Sequence, residues 1–404
     1  MTLRFDASST LRQRSGVQVV DVEDARFLWS AGALHRLNHT GSAVWELLDG
    51  HQTVEEVSAT VAAWFGVTPS RILGDVLALC EQLDEAGLLA GSSRTATPAH
   101  APMGLGPAVG PREQPGPPPP EERAEFTTSR FLALDFDFAI RSTDRRMIDH
   151  LGAVLEAMSA KGSARHIYRV VDNGPTSADR FALYLDDLPL VLCTDQASAV
   201  RHVLWHVNSE VIRQSSAKVL IHAAGAVVGR AGVLMPAPMD SGKTTLVAGL
   251  VRSGAAYLTD ELVALGADRV MHPYPRPMNL GAGSWPLLPE FEPVGWWPRS
   301  EGTPDQWHVN PCKHGAVVAP PTPLSAIIIP AYARGGGTFM EDVPRPEVLE
   351  LLFDQTMNAP IHGADLLPRL ADVVGAVPCL RLVMDDLTGA VRLLNEFVAR
   401  RLAT

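Results

Sequence analysis

Apolar positions near the start of the chain come in short runs broken by turn-prone pieces. Val17-Gln-Val-Val-Asp, Ala25-Arg-Phe-Leu-Trp and Ala33-Leu-His-Arg-Leu have the spacing and β-branched or aromatic content of strands. Helical spacing follows. Ser42 to Leu48 forms one short pattern, and Thr53 to Phe65 opens with the capping-box sequence Thr53-Val-Glu-Glu. Ser70 to Leu89 sets Ile72, Val76, Leu79, Leu83 and Leu88 near one face. The pattern predicts a small β-sheet with three helices in about 80 residues, enough for a single marginal core.

Periodicity stops between Thr95 and Glu125. Pro98, Pro102, Pro107, Pro111, Pro115 and the run Pro117 to Pro120 crowd into this stretch. Such composition favours an extended, semi-rigid spacer over a packed core. The expected organisation is therefore a module over residues 1–92, a linker over 93–125 and a second domain over 126–404. In that domain Phe131 to Ile140, the region of Tyr168, Phe181 to Val191 and Ile327-Ile-Ile read as strands. Asp144 to Ala160, Ser198 to Gln214, Glu347 to Asn358 and Ala390 to Leu402 read as helices. The fold class expected is mixed α/β (α+β).

Composition narrows the function. A hydrophobic share of 46% excludes a wholly disordered or fibrous chain, and 34 Lys and Arg against 45 Asp and Glu leave a net charge of −11. That balance disfavours nucleic acid or an anionic membrane as the main partner. No apolar run approaches the roughly 20 residues of a membrane span, and the first residues lack the apolar core of a signal peptide, so a soluble, cytoplasmic protein is expected. The four cysteines, Cys80, Cys193, Cys312 and Cys379, include no CxxC pair and point to neither a zinc site nor a disulfide framework.

The most informative segment runs from Val219 to Val247. An apolar strand, Ala231 to Met235, enters a loop ending in Asp240-Ser241-Gly242-Lys243-Thr244-Thr245, and a helical pattern begins at once. A phosphate-binding P-loop needs this strand, loop and helix context. Its backbone N–H groups cradle phosphate oxygens at the positive end of the helix, Lys243 neutralises the β- and γ-phosphates, and the Thr244 hydroxyl suits Mg²⁺. Ala237 stands where the first glycine of GxxxxGK[ST] belongs, which demands an ordinary backbone conformation there. Further on, Asp260 and Glu261 interrupt the apolar run Ala255 to Leu265. Carboxylates at such a strand end can hold Mg²⁺ or take a proton, the bland alternative being a solvated turn.

Two resemblances follow from these residues. Leu37-Asn-His-Thr-Gly-Ser-Ala-Val-Trp-Glu-Leu-Leu-Asp-Gly50, Thr53-Val-Glu-Glu-Val57, Asp75-Val-Leu-Ala-Leu79 and Leu83-Asp-Glu-Ala-Gly-Leu-Leu89 resemble the PqqD family. Its members are winged-helix-like β3α3 peptide chaperones, or RiPP recognition elements. They take the leader of a ribosomal precursor peptide as an added strand beside the third strand, against the last helix. The alternative is a wing that only packs on its neighbour.

Ile221-His-Ala-Ala-Gly225, the P-loop and Leu258-Thr-Asp-Glu-Leu262 together resemble the HPr serine kinase family, of phosphoenolpyruvate-carboxykinase-like fold. This resemblance implies Asp260 as the base for an acceptor hydroxyl, His222 as its pairing partner, and Thr244 with Glu261 at the metal. Asp240 to Thr245 would bind nucleotide, joined by Arg276 from the segment His272-Pro-Tyr-Pro-Arg-Pro-Met-Asn-Leu280. HPr kinases carry an acid where Thr245 stands, so the resemblance is to kinase-only relatives found beside peptide-modifying enzymes, and relatives of the kinase often form rings.

The two halves together imply an ATP- and Mg²⁺-dependent kinase that phosphorylates a hydroxyl, serine foremost, of a precursor peptide whose leader sits on residues 1–92. A nucleotide-gated peptide chaperone and a small-molecule or cell-envelope kinase are the rival readings. Trp285, Trp296, Trp297 and Trp307 could line an acceptor groove or pack their own loop down.

Overall fold

The structure is a computed structural model, and it describes residues 4–30, 33–92, 116, 125–292 and 306–401. Nearly all of the linker expected over 93–125, together with Trp296 and Trp297, lies outside them. The chain forms two units. The first combines Met1–Met103 with Pro344–Asp354 and Ala359–Ala376, and the second holds Gly104–Val343, Gln355–Asn358 and Val377–Thr404.

In the first unit, strands β1 (Gln18–Val22), β2 (Ala25–Ser30) and β3 (Ala33–Leu37) make an antiparallel sheet in the order β1-β2-β3. Three helices follow: α1 (His39–Leu47), α2 (Val54–Phe65) and α3 (Pro69–Glu85). The capping box at α2 forms as its sequence requires. The Thr53 hydroxyl accepts from the Glu56 backbone N–H, and the Glu56 carboxylate accepts from the Thr53 N–H.

Strand alternation sends Leu28 to one face of the sheet, where it joins Leu37, Val44, Trp45, Val57, Val61, Val76 and Leu83 in a core. Phe27 and Trp29 face the other way, and they too are buried. The helices Arg345–Asp354 and Leu366–Ala376 belong to this unit. Phe353 meets Trp29 edge to face at 5.8 Å, helix Leu366–Ala376 packs on β1, and Glu350 lies 3.7 Å from Arg36 of β3. Cover on both faces explains why Phe27-Leu28-Trp29 reads as an unbroken apolar run. Among the described residues β3 has a strand partner on one side only.

The second unit is built on β4 (Val219–Val228), which is buried along its whole length, and the hairpin it makes with β5 (Ala231–Pro236). Helix α4 (Lys243–Arg252) follows, then β6 (Ala256–Thr259) and β7 (Leu262–Leu265), both antiparallel to β4. Strand β8 (Thr322–Tyr332) runs parallel to β5, and β9 (Cys379–Met384) runs parallel to β8.

A further sheet contains Phe136–Ser142, His166–Asp172, Phe181–Leu185 and Leu188–Cys193, with helices Arg145–Leu155 and Gln196–Gln214 sharing its core around Phe131, Phe138 and Tyr168. Two runs expected as single strands fold as hairpins. One reverses at Leu134 (φ 52°) and the other at Asp186 and Asp187 (φ 49° and 64°), where positive φ turns the chain back.

Close packing between β5 and β8 depends on Gly232. A Cβ there would collide with the Pro323 carbonyl oxygen and come within 2.7 Å of Met271 Cε. Gly232→Ala is therefore expected to destabilise the protein by about 1–3 kcal/mol, read as a lower midpoint in thermal or denaturant melts.

Candidate active site

Strand β5 delivers the chain to the loop at Pro236. Ala237 is fully buried and has no positive φ, as its side chain requires; the left-handed positions are Asp240 (φ 61°) and Gly242 (φ 89°). Aspartate tolerates that region better than most side chains, and glycine occupies it freely. Gly242 caps α4, so the amides of the first turn point into the loop.

Lys243 folds back over the loop and donates to the carbonyls of Ala237 (2.6 Å) and Pro238 (2.7 Å). Burial pushes its ammonium down to about 8, against the pull of Glu261, Asp260 and Asp240. The three acids explain why a cation stays at so buried a position.

Because β6 and β7 are both antiparallel to β4, β6 runs in the same direction as β5 and ends at the same edge of the sheet. Asp260, just past that end, is 1% exposed. Its Oδ2 accepts from the Thr244 hydroxyl (3.3 Å) and the Asn279 backbone N–H (3.0 Å), and its Oδ1 from the Tyr257 hydroxyl (3.2 Å). Burial raises its pKa, with Arg276 working against the rise. A carboxyl so tuned is a better proton acceptor than a surface aspartate.

Glu261 turns the other way. Its Oε2 lies 3.3 Å from Arg276 Nη1 and its Oε1 3.8 Å from His222 Nδ1. His222 thus pairs with Glu261, the acid beside the one expected, because neighbouring residues project in different directions. Burial lowers the pKa of His222 more than Glu261 raises it, favouring the neutral imidazole. Arg276 lies partly buried against the site, its charge held by Glu261 and then Asp260 despite the cost of burial.

Thr245 and Ser284 share a hydrogen bond between their hydroxyls at 2.6 Å, which ties Thr245 to the following loop. Trp285 and Trp307 stack in parallel at 4.7 Å, and the Trp285 indole donates to the Leu280 carbonyl. Both pack the loop down.

Three residues absent from the sequence reading complete the site. Tyr257, on apolar β6, reads as core, yet its hydroxyl holds Asp260. Asn279 acts through its backbone N–H, and Ser284 as the hydrogen-bond partner of Thr245. No residue-type signal marks the last two.

The site fits a polyanion and a hard cation. His222 Nε2, Ser241 Oγ and Asn279 Oδ1 are all buried with no hydrogen-bond partner among the described residues, a condition that a polar ligand relieves. The Thr244 hydroxyl is an oxygen donor of the kind Mg²⁺ prefers, whereas the Glu261 carboxylate is already engaged. Among the described residues no group of three or more His, Cys, Asp or Glu forms a metal cluster, and no helix is long and apolar enough to cross a membrane.

Residues 16–89 match the family described as coenzyme PQQ synthesis protein D (PqqD). Among solved structures, the segment is similar to the PqqD truncation of Methylobacterium extorquens PqqCD, described as a functional, stand-alone RiPP recognition element. The identity is 23%, covering 22% of this chain and 96% of that one, at a TM-score of 0.21. The Hpr(Ser) kinase/phosphatase from Coxiella burnetii is also similar, at 9% identity over 46% of this chain and 99% of that one, with a TM-score of 0.23. No curated protein matches the chain. The PqqD-like segment spans β1 to β3 and α1 to α3 but not the helices Arg345–Asp354 and Leu366–Ala376 that complete the first unit.

Proposed function

We propose that this protein is an ATP- and Mg²⁺-dependent kinase that phosphorylates a hydroxyl, most simply that of serine, in a ribosomally made precursor peptide. The PqqD-like module would hold the peptide's leader, with β3 offering the unpaired edge for an added strand. The observation that carries the reading is the meeting of Thr244 and Lys243 of the loop with the buried Asp260.

In that site the loop amides and Lys243 hold the terminal phosphates of ATP, and Asp260 takes the proton of the acceptor hydroxyl. The acceptor oxygen forms its bond to the γ-phosphorus as the bond to the bridging oxygen breaks, and ADP leaves. Mg²⁺, when bound, would neutralise phosphate charge, with the Thr244 hydroxyl as the donor placed for it. Tyr257 and the Asn279 backbone N–H keep Asp260 in place, and Arg276 balances Glu261 beside it. Leader binding would raise the local concentration of a flexible acceptor towards the ~mM range, which a site built for phosphate needs.

The test is mass spectrometry of candidate precursor peptides after incubation with ATP and Mg²⁺. Addition of phosphate to the peptide supports the reading, and ATP binding without transfer points to a nucleotide-gated chaperone instead. Lys243→Ala is expected to lower transfer about 10²- to 10³-fold, as loss of one preorganised charge contact typically does. A melting curve of the variant separates the lost charge from any loss of fold, and turnover like the parent's would remove the loop from the mechanism.

A further inference from the structure

The strands β6, β5, β8 and β9 all run the same way, so Asp260, the phosphate loop, Tyr332 and Met384 lie at one edge of the sheet. In sheets of this kind ligands bind outside the carboxyl ends of the strands. The local order places β4 and β6, with Asp260, on one flank of β5 and β8 with β9 on the other. Phosphoryl transfer belongs to the first flank. The second has no part in it, yet it is shaped.

Tyr332 closes β8 and is 61% exposed. The register of β5 with β8 pairs Leu234 with Ile327, so β8 continues about three residues, roughly 10 Å, beyond Pro236, alongside the phosphate loop. Tyr332 pairs with Met384 of β9, and register partners share a face of the sheet. Met384 reaches the loop, since a Cβ on Gly242 would lie 3.2 Å from its Cε. Gly242, Met384 and Tyr332 therefore form a line leading away from the phosphate loop on the side opposite Asp260.

The segment after Tyr332 is held rather than loose. The Gly335 N–H donates to Asp385 Oδ1, the Thr338 hydroxyl donates to Asp386 Oδ2, and the backbone N–H groups of Asp385 and Asp386 donate to Thr338 Oγ1. Gly335 and Gly337 take positive φ, and the run Gly335-Gly336-Gly337 carries no side chains of its own.

We infer that Tyr332, backed by Met384 and bordered by the 333–338 loop, is the platform on which the base of the bound nucleotide stacks. The inference rests on the proposed nucleotide site and adds the subsite for the aromatic ring. A flat, exposed aromatic face with a thioether beside it suits a purine, and the sheet order keeps the base away from the acceptor.

Calorimetric titration of the full chain with ATP and with inorganic tripolyphosphate, each with Mg²⁺, tests it. Tyr332→Ala should weaken ATP roughly 5- to 150-fold, the range of one lost base–aromatic stack, and leave tripolyphosphate unchanged. Tyr332→Phe, which keeps the ring, should bind both probes as the parent does. ATP affinity unaltered in Tyr332→Ala would overturn the inference, and so would an equal loss for both probes, which would mark damage to the loop. A parent protein that binds neither probe would instead remove the nucleotide reading beneath it.

Discussion

Asp260→Asn is expected to lower phosphoryl transfer about 10²- to 10⁴-fold while leaving ATP affinity and the melting temperature close to the parent's. The surroundings of the side chain can absorb the amide. Its oxygen can take the place of Oδ2, accepting from the Asn279 N–H and Thr244, and its NH₂ can donate to the Tyr257 oxygen. Tyr257 can then give its own proton to the Arg276 carbonyl, 3.0 Å away. The amide cannot accept the acceptor's proton, so the rate alone should fall. Phosphopeptide formation by mass spectrometry, set beside nucleotide titration, separates the outcomes. Unchanged transfer would exclude Asp260 as the base, and lost ATP binding would assign it to the metal.

Removal of residues 1–92 is expected to cost the protein its stability as well as any peptide it holds. The helices Arg345–Asp354 and Leu366–Ala376 keep Leu349, Leu352, Phe353, Leu370 and Val374 buried in the first unit, where Phe353 rests on Trp29. Each such side chain returned to water loses about 1.5–3 kcal/mol, and a few of them match the usual margin of about 5–15 kcal/mol. The shortened chain should aggregate in size-exclusion chromatography or melt far earlier. A monodisperse product with the parent's melting temperature would mean that these helices keep their place without the sheet.

Much of the site could be read from the chain because its parts are local. Strand, loop and helix around Lys243 are contiguous, and the acids at 260 and 261 stand out against apolar neighbours. The Thr53 capping box was legible for the same reason. What escaped depends on register and on distant partners. Which of two adjacent carboxylates faces His222 follows from how β4 and β7 pair, and Asn279 contributes a backbone N–H that any residue but proline would supply. The helix Leu366–Ala376 was not read at all. An apolar face on Arg345–Asp354 announces burial without naming what it is buried against.

The first unit draws on three separate stretches of the chain, with Gln355–Asn358 assigned to the second unit between the last two. In the second unit this short segment is threaded beside β4: the Gln355 carbonyl accepts from the His222 N–H and the Met357 N–H donates to the Leu220 carbonyl. The consequence concerns chimeras. A graft that exchanges only the first 92 residues for those of another protein would set a foreign sheet against native helices, whose Phe353 rests on Trp29. Under the proposed function, redirecting the protein to a new peptide would call for a cassette in three pieces, or for changes confined to the edge of β3 that is unpaired among the described residues.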